Sequence, residues 1–251
     1  MNADLRGQTV LVTGGARGIG EAVTRRLAAS GARVAIHYNQ SEAAARALTD
    51  EIPDARAFQA DLADISAVRR LFEAVVAELG TLHVLVNNAG VAHRIDALET
   101  GDAWERGWDA TMDVNLKSAA LLSRLAVAHF LESGGGRIVT VSSRAAFRGD
   151  APEYMAYAAS KAGLVGFTRS IARGFGKKGV KAFVVAPGFT RTDMAREFID
   201  EYGEDYAVRD IALERMTEPE DVANVVVFLA SGLADHATGC TIDVNAGSYV
   251  H

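Results

Sequence analysis

The stretch YMAYAASKAG, residues 154–163, sets Tyr157 and Lys161 four positions apart in an alanine-rich segment. On a helix that spacing puts both side chains on one face. A free phenol titrates near ~10, too high for efficient proton transfer around neutral pH. An adjacent ammonium favours the phenolate and is expected to draw that value down. The pair is therefore a candidate acid–base centre, with Tyr157 carrying the proton and Lys161 tuning it. Tyrosine and lysine at this spacing are also common on solvated helices, so the stretch alone leaves both readings open. Tyr154 lies about two helical turns from Lys161 and is the less natural partner.

A second group of residues could hold a nucleotide. VLVTGGARGIGEAVTRRL places Gly14, Gly18 and Gly20, with Ile19 among them, between an apolar run and an amphipathic one. Glycines there permit a tight turn and close backbone approach to a pyrophosphate. The helix N-terminus behind them favours an anion. The next apolar run ends in His37, Tyr38, Asn39, Gln40 and Ser41 and carries no carboxylate for a ribose 2′-hydroxyl. Arg17 instead offers a planar, bidentate donor set for a 2′-phosphate. Asn39 and Ser41 add neutral donors beside Tyr38. The residues favour NADP(H), with NAD(H) possible; a solvated Arg17 on an unliganded turn is the alternative.

These groups need a frame. Short β-branched runs at 9–13, 33–38, 55–60, 82–87, 137–142, 181–186 and 240–245 alternate with segments of helical pattern such as EAVTRRLAAS and ISAVRRLFEAVVAEL. Apolar strands separated by helices indicate a parallel sheet covered on both faces. Right-handed crossovers make it doubly wound. The expectation is an α/β fold: a single Rossmann-type domain over 1–251 with a central parallel sheet of about seven strands. Residues 190–215 interrupt the alternation with a charged insertion, of a kind that is usually functional.

Composition narrows the function. About half of the 251 residues are apolar, and the net charge is −6. An acidic balance argues against a general nucleic-acid binder. One cysteine, Cys240, excludes an internal disulfide. No apolar run approaches the ~18 residues of a membrane span. The opening MNADLRGQTVLVTGG lacks the pattern of a secretory signal, so a cytoplasmic location is expected. The six histidines are scattered and no HExxH or CxxC occurs, so no metal site is expected.

Taken together, TGGARGIG (13–20), Asp61 in ADLAD, NNAG (87–90), Asn115 in DVNLKS, TVSS (140–143), YAASK (157–161), APGFTRTDM (186–194) and EPEDVANVVVFLAS (218–231) make the chain resemble the short-chain dehydrogenase/reductase family over nearly its whole length. Within it, VVAPGFTRTDM and GCTIDVNAGSYV look most like the 3-oxoacyl-acyl-carrier-protein reductase group. VAIHYNQS is also similar to the matching strand of the NADPH-using pteridine reductases. The resemblance implies a small carbonyl or alcohol substrate and a homotetramer or homodimer. It makes Tyr157 the general acid–base, Lys161 its partner, Ser143 the hydroxyl that orients the carbonyl, and Asn115 the anchor of a proton-relay water. Asp61, with Leu62 beside it, would meet the adenine, and the backbone at Asn88, Ala89 and Gly90 would line the adenosine ribose. Thr192, Thr190 and the backbone after Pro187 and Gly188 would hold the nicotinamide carboxamide.

Two features depart from the family pattern. The Ser143-to-Tyr157 interval is one residue longer than usual, and Arg144 stands at the usual serine position; Ser142 is the alternate hydroxyl. An acidic acyl carrier would meet acidic Glu197, Asp200, Glu201, Glu204 and Asp205 in the insertion, with only Lys177, Lys178 and Lys181 as basic candidates. His93–Arg94, Arg144 to Arg148, Phe189 and the 190–215 insertion are expected near the reacting carbon; the arginines suit a small anionic substrate or are surface residues without a ligand, and Phe147, Phe189 and Met194 line an apolar wall or pack in the core. The leading expectation is an NADP(H)-dependent ketone reductase. The alternatives are an NAD-dependent sugar, steroid or other secondary-alcohol dehydrogenase and, more remotely, a non-catalytic nucleotide sensor.

Overall fold

Seven short runs of β-branched and small apolar residues pair edge to edge in the order β3-β2-β1-β4-β5-β6-β7, every pair parallel. They are β1 (Thr9–Val12), β2 (Arg33–Tyr38), β3 (Ala55–Gln59), β4 (Val84–Asn87), β5 (Gly136–Val141), β6 (Val180–Pro187) and β7 (Thr241–Val244). The computed structural model describes residues 3–98, 101–193 and 208–250. All seven expected strands form, with ends within two residues of those read from the sequence.

The two-residue period of a strand divides the core between the faces. Val10, Val12, Ile36 and Val86 join α1 (Gly18–Ala29), α2 (Glu42–Glu51) and α8 (Pro219–Ala230) through Val23, Leu27, Leu48 and Val226. Leu11, Leu85 and Ile138 face the other way, onto α3 (Ile65–Leu79) and α5 (Ser118–Ser133), through Leu71, Val75, Leu122 and Phe130. Local signals start the helices. Asp64 Oδ1 accepts the Ser66 N–H at 2.7 Å at the head of α3. Glu218 and Asp221 form a reciprocal capping box around Pro219 at the head of α8.

The chain leaves β1 towards β2 and β3, then crosses back to β4 on the opposite side. The carboxyl ends of β1 and β4 thus flank the switch point where ligands bind in open α/β sheets. One element was not foreseen. α4 (Ala103–Met112) runs through a π turn, Asp113–Lys117, directly into α5. Such turns often mark functional sites, and this one contains Asn115. After it, α6 (Ala145–Arg148) and α7 (Met155–Phe175) follow β5. Thr190 and Thr217 pair in an isolated parallel bridge, so the insertion returns to where it departs. Met194 and the five acidic residues from Glu197 to Asp205 lie outside the described residues.

Phe130 has no solvent exposure and is among the largest fully buried side chains. Phe130→Ala is expected to lower stability by roughly 3–5 kcal/mol in urea unfolding; a loss near ~1 kcal/mol would show that α5 settles onto the sheet and fills the space.

Candidate active site

At the carboxyl edge, the glycine turn is packed too tightly for side chains. Gly14 and Gly18 have φ of 61° and 53°, in the left-handed region. A Cβ on Gly20 would lie 1.9 Å from the Gly14 carbonyl oxygen. The turn is sewn to the end of β4. Thr13 Oγ1 accepts the Asn88 and Ala89 N–H groups at 2.9 and 3.0 Å. Asn88 Nδ2 donates to the Thr13 and Gly14 carbonyls at 2.9 and 3.1 Å. A Cβ on Gly18 would come within 3.3 Å of Thr192 Cγ2, so the segment after β6 closes on the same turn. The result is a backbone-lined cradle before the N-terminus of α1, which suits a pyrophosphate.

His37 holds this cradle, a role the sequence reading missed by noting only that His37 is no carboxylate. Its Nδ1 accepts the Gly14 N–H at 3.0 Å, and its carbonyl accepts the Gly15 N–H at 2.9 Å. Its Nε2 faces the Ala60 carbonyl at 3.1 Å. These partners require the neutral ring with its proton on Nε2. Desolvation keeps it neutral, lowering its pKa to about 4 against the opposing effects of the Ala60 bond and Asp61. No spacing rule links a strand-end histidine to a turn 23 residues earlier.

The outer cradle is more open. Arg17 is exposed at the N-cap of α1, with no side-chain hydrogen bond among the described residues. Tyr38 and Ser41 are half-buried and Asn39 is exposed. Asp61 is exposed and uses Oδ1 to cap Ala63 N–H at 2.9 Å, beside buried Leu62. Ile19 is half-buried in the turn. Thr190, buried, donates to the Gly188 carbonyl at 3.1 Å, and Gly188 N–H donates to Val244 at 3.0 Å. That pins the segment after Pro187. Gly-lined space, a helix N-terminus and an available arginine fit a dinucleotide carrying a 2′-phosphate.

The second half of the site stands across β4 and β5. Asn115 is fully buried. Its Oδ1 accepts the Val91 N–H at 2.8 Å, while its Nδ2 donates to the Val91 carbonyl at 2.9 Å and to Ser160 Oγ at 3.0 Å. A Cβ on Gly90 would lie 3.2 Å from Lys161 Nζ and 3.4 Å from Asn115 Oδ1, so a side chain there would press on the lysine ammonium. Buried Lys161 donates from Nζ to the Val141 carbonyl at 3.0 Å and lies 5.6 Å from the Tyr157 ring centroid. Tyr154 ends a 3-10 turn before α7 and is not on its face.

The two serines separate cleanly. Ser142 Oγ donates to the Lys161 carbonyl at 2.9 Å and ties β5 to α7. Ser143 lies near enough to Tyr157 to oppose the rise of its pKa, and its Oγ accepts the Ala145 N–H at 3.1 Å. The longer interval to Tyr157 is absorbed by α6 and the turn after it, which leave Ser143 facing the tyrosine.

One expectation is corrected. Lys161 does not draw the phenol down. The Tyr157 pKa is raised, chiefly by desolvation and also by the Asp150 carboxylate, with Ser143 opposing. Lys161 is itself lowered to about 8 by burial. The helix face brings the two together as expected, but desolvation disfavours both charged forms. At neutral pH the pair is phenol and mostly ammonium.

A second correction concerns the basic residues. Lys177 and Lys178 follow the far end of α7, and Lys181 lies at the start of β6 near Asp235 at 3.7 Å. At ~1.5 Å per residue, α7 carries the first two roughly 30 Å from Tyr157, so they do not frame the entrance. His93 and Arg94 are exposed and line a cleft against α4 with Arg106. Arg144, Phe147 and Phe189 gather beside Ser143; Arg144 N–H donates to the Pro187 carbonyl at 2.9 Å, and its guanidinium lies 6.0 Å from the Phe189 ring centroid.

Residues 14–249 match the family model described as enoyl-(acyl carrier protein) reductase. The chain belongs to the short-chain dehydrogenase/reductase family. As such it is an NAD(P)-dependent oxidoreductase acting between CH–OH and C=O groups. It is 38% identical over 247 residues to the 3-oxoacyl-(acyl-carrier-protein) reductase FabG of Staphylococcus aureus, covering 97% of this chain and 98% of that one. It is 35% identical over 248 residues to FabG of Escherichia coli K12, covering 98% and 99%. A short-chain dehydrogenase from Burkholderia cenocepacia J2315, solved in complex with NADP, superposes with a TM-score of 0.88 at 37% identity over 97% of this chain and 98% of that one.

His37→Leu leaves the Gly14 N–H unpaired and is expected to weaken dinucleotide binding about tenfold. Fluorescence titration checks this; unchanged affinity would show that Thr13 and Asn88 suffice to hold the turn.

Proposed function

We propose that the protein is an NADP(H)-dependent reductase that converts the ketone of a 3-oxoacyl-like substrate to a secondary alcohol. The carrying observation is the group of half-buried Tyr157 with buried Ser143 and Lys161, at the sheet edge across from the glycine cradle. When bound, the cofactor supplies a hydride to the carbonyl carbon. In this reading the cradle of Gly14, Gly18, Ile19 and Gly20 holds the pyrophosphate. Arg17, Tyr38, Asn39 and Ser41 surround the 2′-phosphate, and Asp61, Leu62, Asn88, Ala89 and Gly90 surround the adenosine. Pro187, Gly188, Thr190 and Thr192 border the nicotinamide. The NADP complex of the Burkholderia relative supports this choice of cofactor.

Ser143 donates to the substrate oxygen and stabilises its developing charge. Tyr157 gives that oxygen its proton. The raised phenol pKa suits this direction. An alkoxide is a far stronger base than a phenolate, so a phenol needs no depressed pKa to protonate it. The reverse reaction would need the phenolate, which burial and Asp150 disfavour. Asn115 acts through position: its amide is committed to Val91 and Ser160, so any relay water would use its remaining lone pair or the main chain of the π turn. Pairing of the outer faces of α5 and α7 between subunits would give the tetramer expected from resemblance.

Tyr157→Phe is expected to keep cofactor affinity while lowering turnover by roughly 10²–10⁴-fold; intact turnover would remove Tyr157 from the chemistry. In the native protein, reduction is expected to hold steady around neutral pH and fall as the pH passes about 8, where Lys161 loses its proton; a rate that climbs through this range would contradict it. Arg17→Ala is expected to weaken NADPH at least about tenfold more than NADH; equal weakening would place the 2′-phosphate elsewhere.

A further inference from the structure

Two guanidiniums converge on one carboxylate beside Ser143. Arg148 Nη1 donates to Asp210 Oδ2 at 3.0 Å, and Arg144 Nη1 reaches the same oxygen at 3.5 Å. The two arginines differ in setting. The Arg144 side chain is only 16% exposed and is stacked near Phe189. Its pKa is lowered by desolvation and by the Arg148 cation, with Asp210 and Asp150 opposing. Arg144 is thus a largely desolvated cation that occupies the position next to the hydroxyl facing Tyr157.

Its pairing with Asp210 is poor. A guanidinium offers five donors in a fork matched to two carboxylate oxygens. Among the described residues one long contact is made, to an oxygen already held by Arg148. Asp210 is 62% exposed and belongs to the returning arm of the insertion, not to the sheet. It is solvent-accessible itself, and the charge it uncovers on Arg144 would be met by the incoming carboxylate. A carboxylate entering from the substrate side could take the Arg144 fork in bidentate form. Among the described residues Asp150, which is exposed, is the other carboxylate that favours the Arg144 charge.

We infer that Arg144, supported by Arg148, is a subsite for a substrate carboxylate, and that Asp210 is the internal carboxylate it displaces. The inference rests on the reductase reading and narrows its substrate class to oxo acids, small molecules that carry a free carboxylate besides the ketone. It also gives a use to the arginine that stands where the family pattern has its serine.

The test compares 3-oxobutanoate with its uncharged ethyl ester, which presents the same ketone. Calorimetric titration in the presence of NADP+, which cannot reduce the ketone, reads binding, and NADPH oxidation in a separate assay reads turnover. The native protein is expected to bind the acid at least about tenfold more tightly than the ester. Arg144→Gln should erase that ratio, Arg148→Gln should narrow it, and Asp210→Asn should widen it by removing the competitor. Equal binding of acid and ester by the native protein, or a preference that survives in Arg144→Gln, overturns the subsite. Equal weakening of both ligands in Arg144→Gln also overturns it and leaves the cluster as a fastening of the insertion. If the acid preference follows the arginine but neither compound oxidises NADPH, the subsite stands and the reductase reading fails.

Discussion

The site depends on how one turn of α7, Ser160–Lys161, is fastened. Asn115 reaches it from the π turn through Ser160 while bonding both polar groups of the Val91 backbone. Ser142 and Lys161 cross-link β5 to the same turn, the serine hydroxyl giving to the lysine carbonyl and the ammonium giving to Val141. Four segments that are distant in sequence are thereby fixed to one another, with no charged partner for the lysine among the described residues. The cation is buried and meets only a main-chain carbonyl, so desolvation lowers its proton affinity. A carboxylate there would stabilise the ammonium but would also repel the developing negative charge on a substrate oxygen.

Burial therefore sets the electrostatics of the pair, and the charges tune it only secondarily. The phenol keeps its proton through neutral pH, and the ammonium keeps most of its own. Both favour delivering a proton to an oxygen that gains negative charge. The cofactor cradle obeys a similar economy. His37 is kept neutral by desolvation and used as a rigid two-ended hydrogen-bonding spacer between the glycine turn and the end of β3.

Much of this was legible in the chain. The alternation of β-branched runs and amphipathic segments located the strands because a sheet buried on both faces demands apolar residues at nearly every strand position. The glycine turn and the Tyr157–Lys161 face were legible because each follows from a short-range rule. The π turn was not, because its sequence, DVNLK, differs little from that of an ordinary helix. The role of His37 and the division of labour between Ser142 and Ser143 depend on contacts across the fold. The expected sign of the Tyr157 shift was wrong for a related reason: spacing shows which charges are near, whereas desolvation depends on everything packed around them.

The central claim is that the folded chain holds Tyr157 protonated well beyond neutral pH, with Lys161 titrating before it. Carbon-13 NMR of protein labelled at the tyrosine ζ carbon, with Tyr157 assigned by its loss in Tyr157→Phe, measures this directly. The account expects the Tyr157 resonance to stay in its phenol position past pH ~10, the ordinary value of a free tyrosine. A midpoint near neutrality would contradict it, and would show that Lys161 governs the phenol after all.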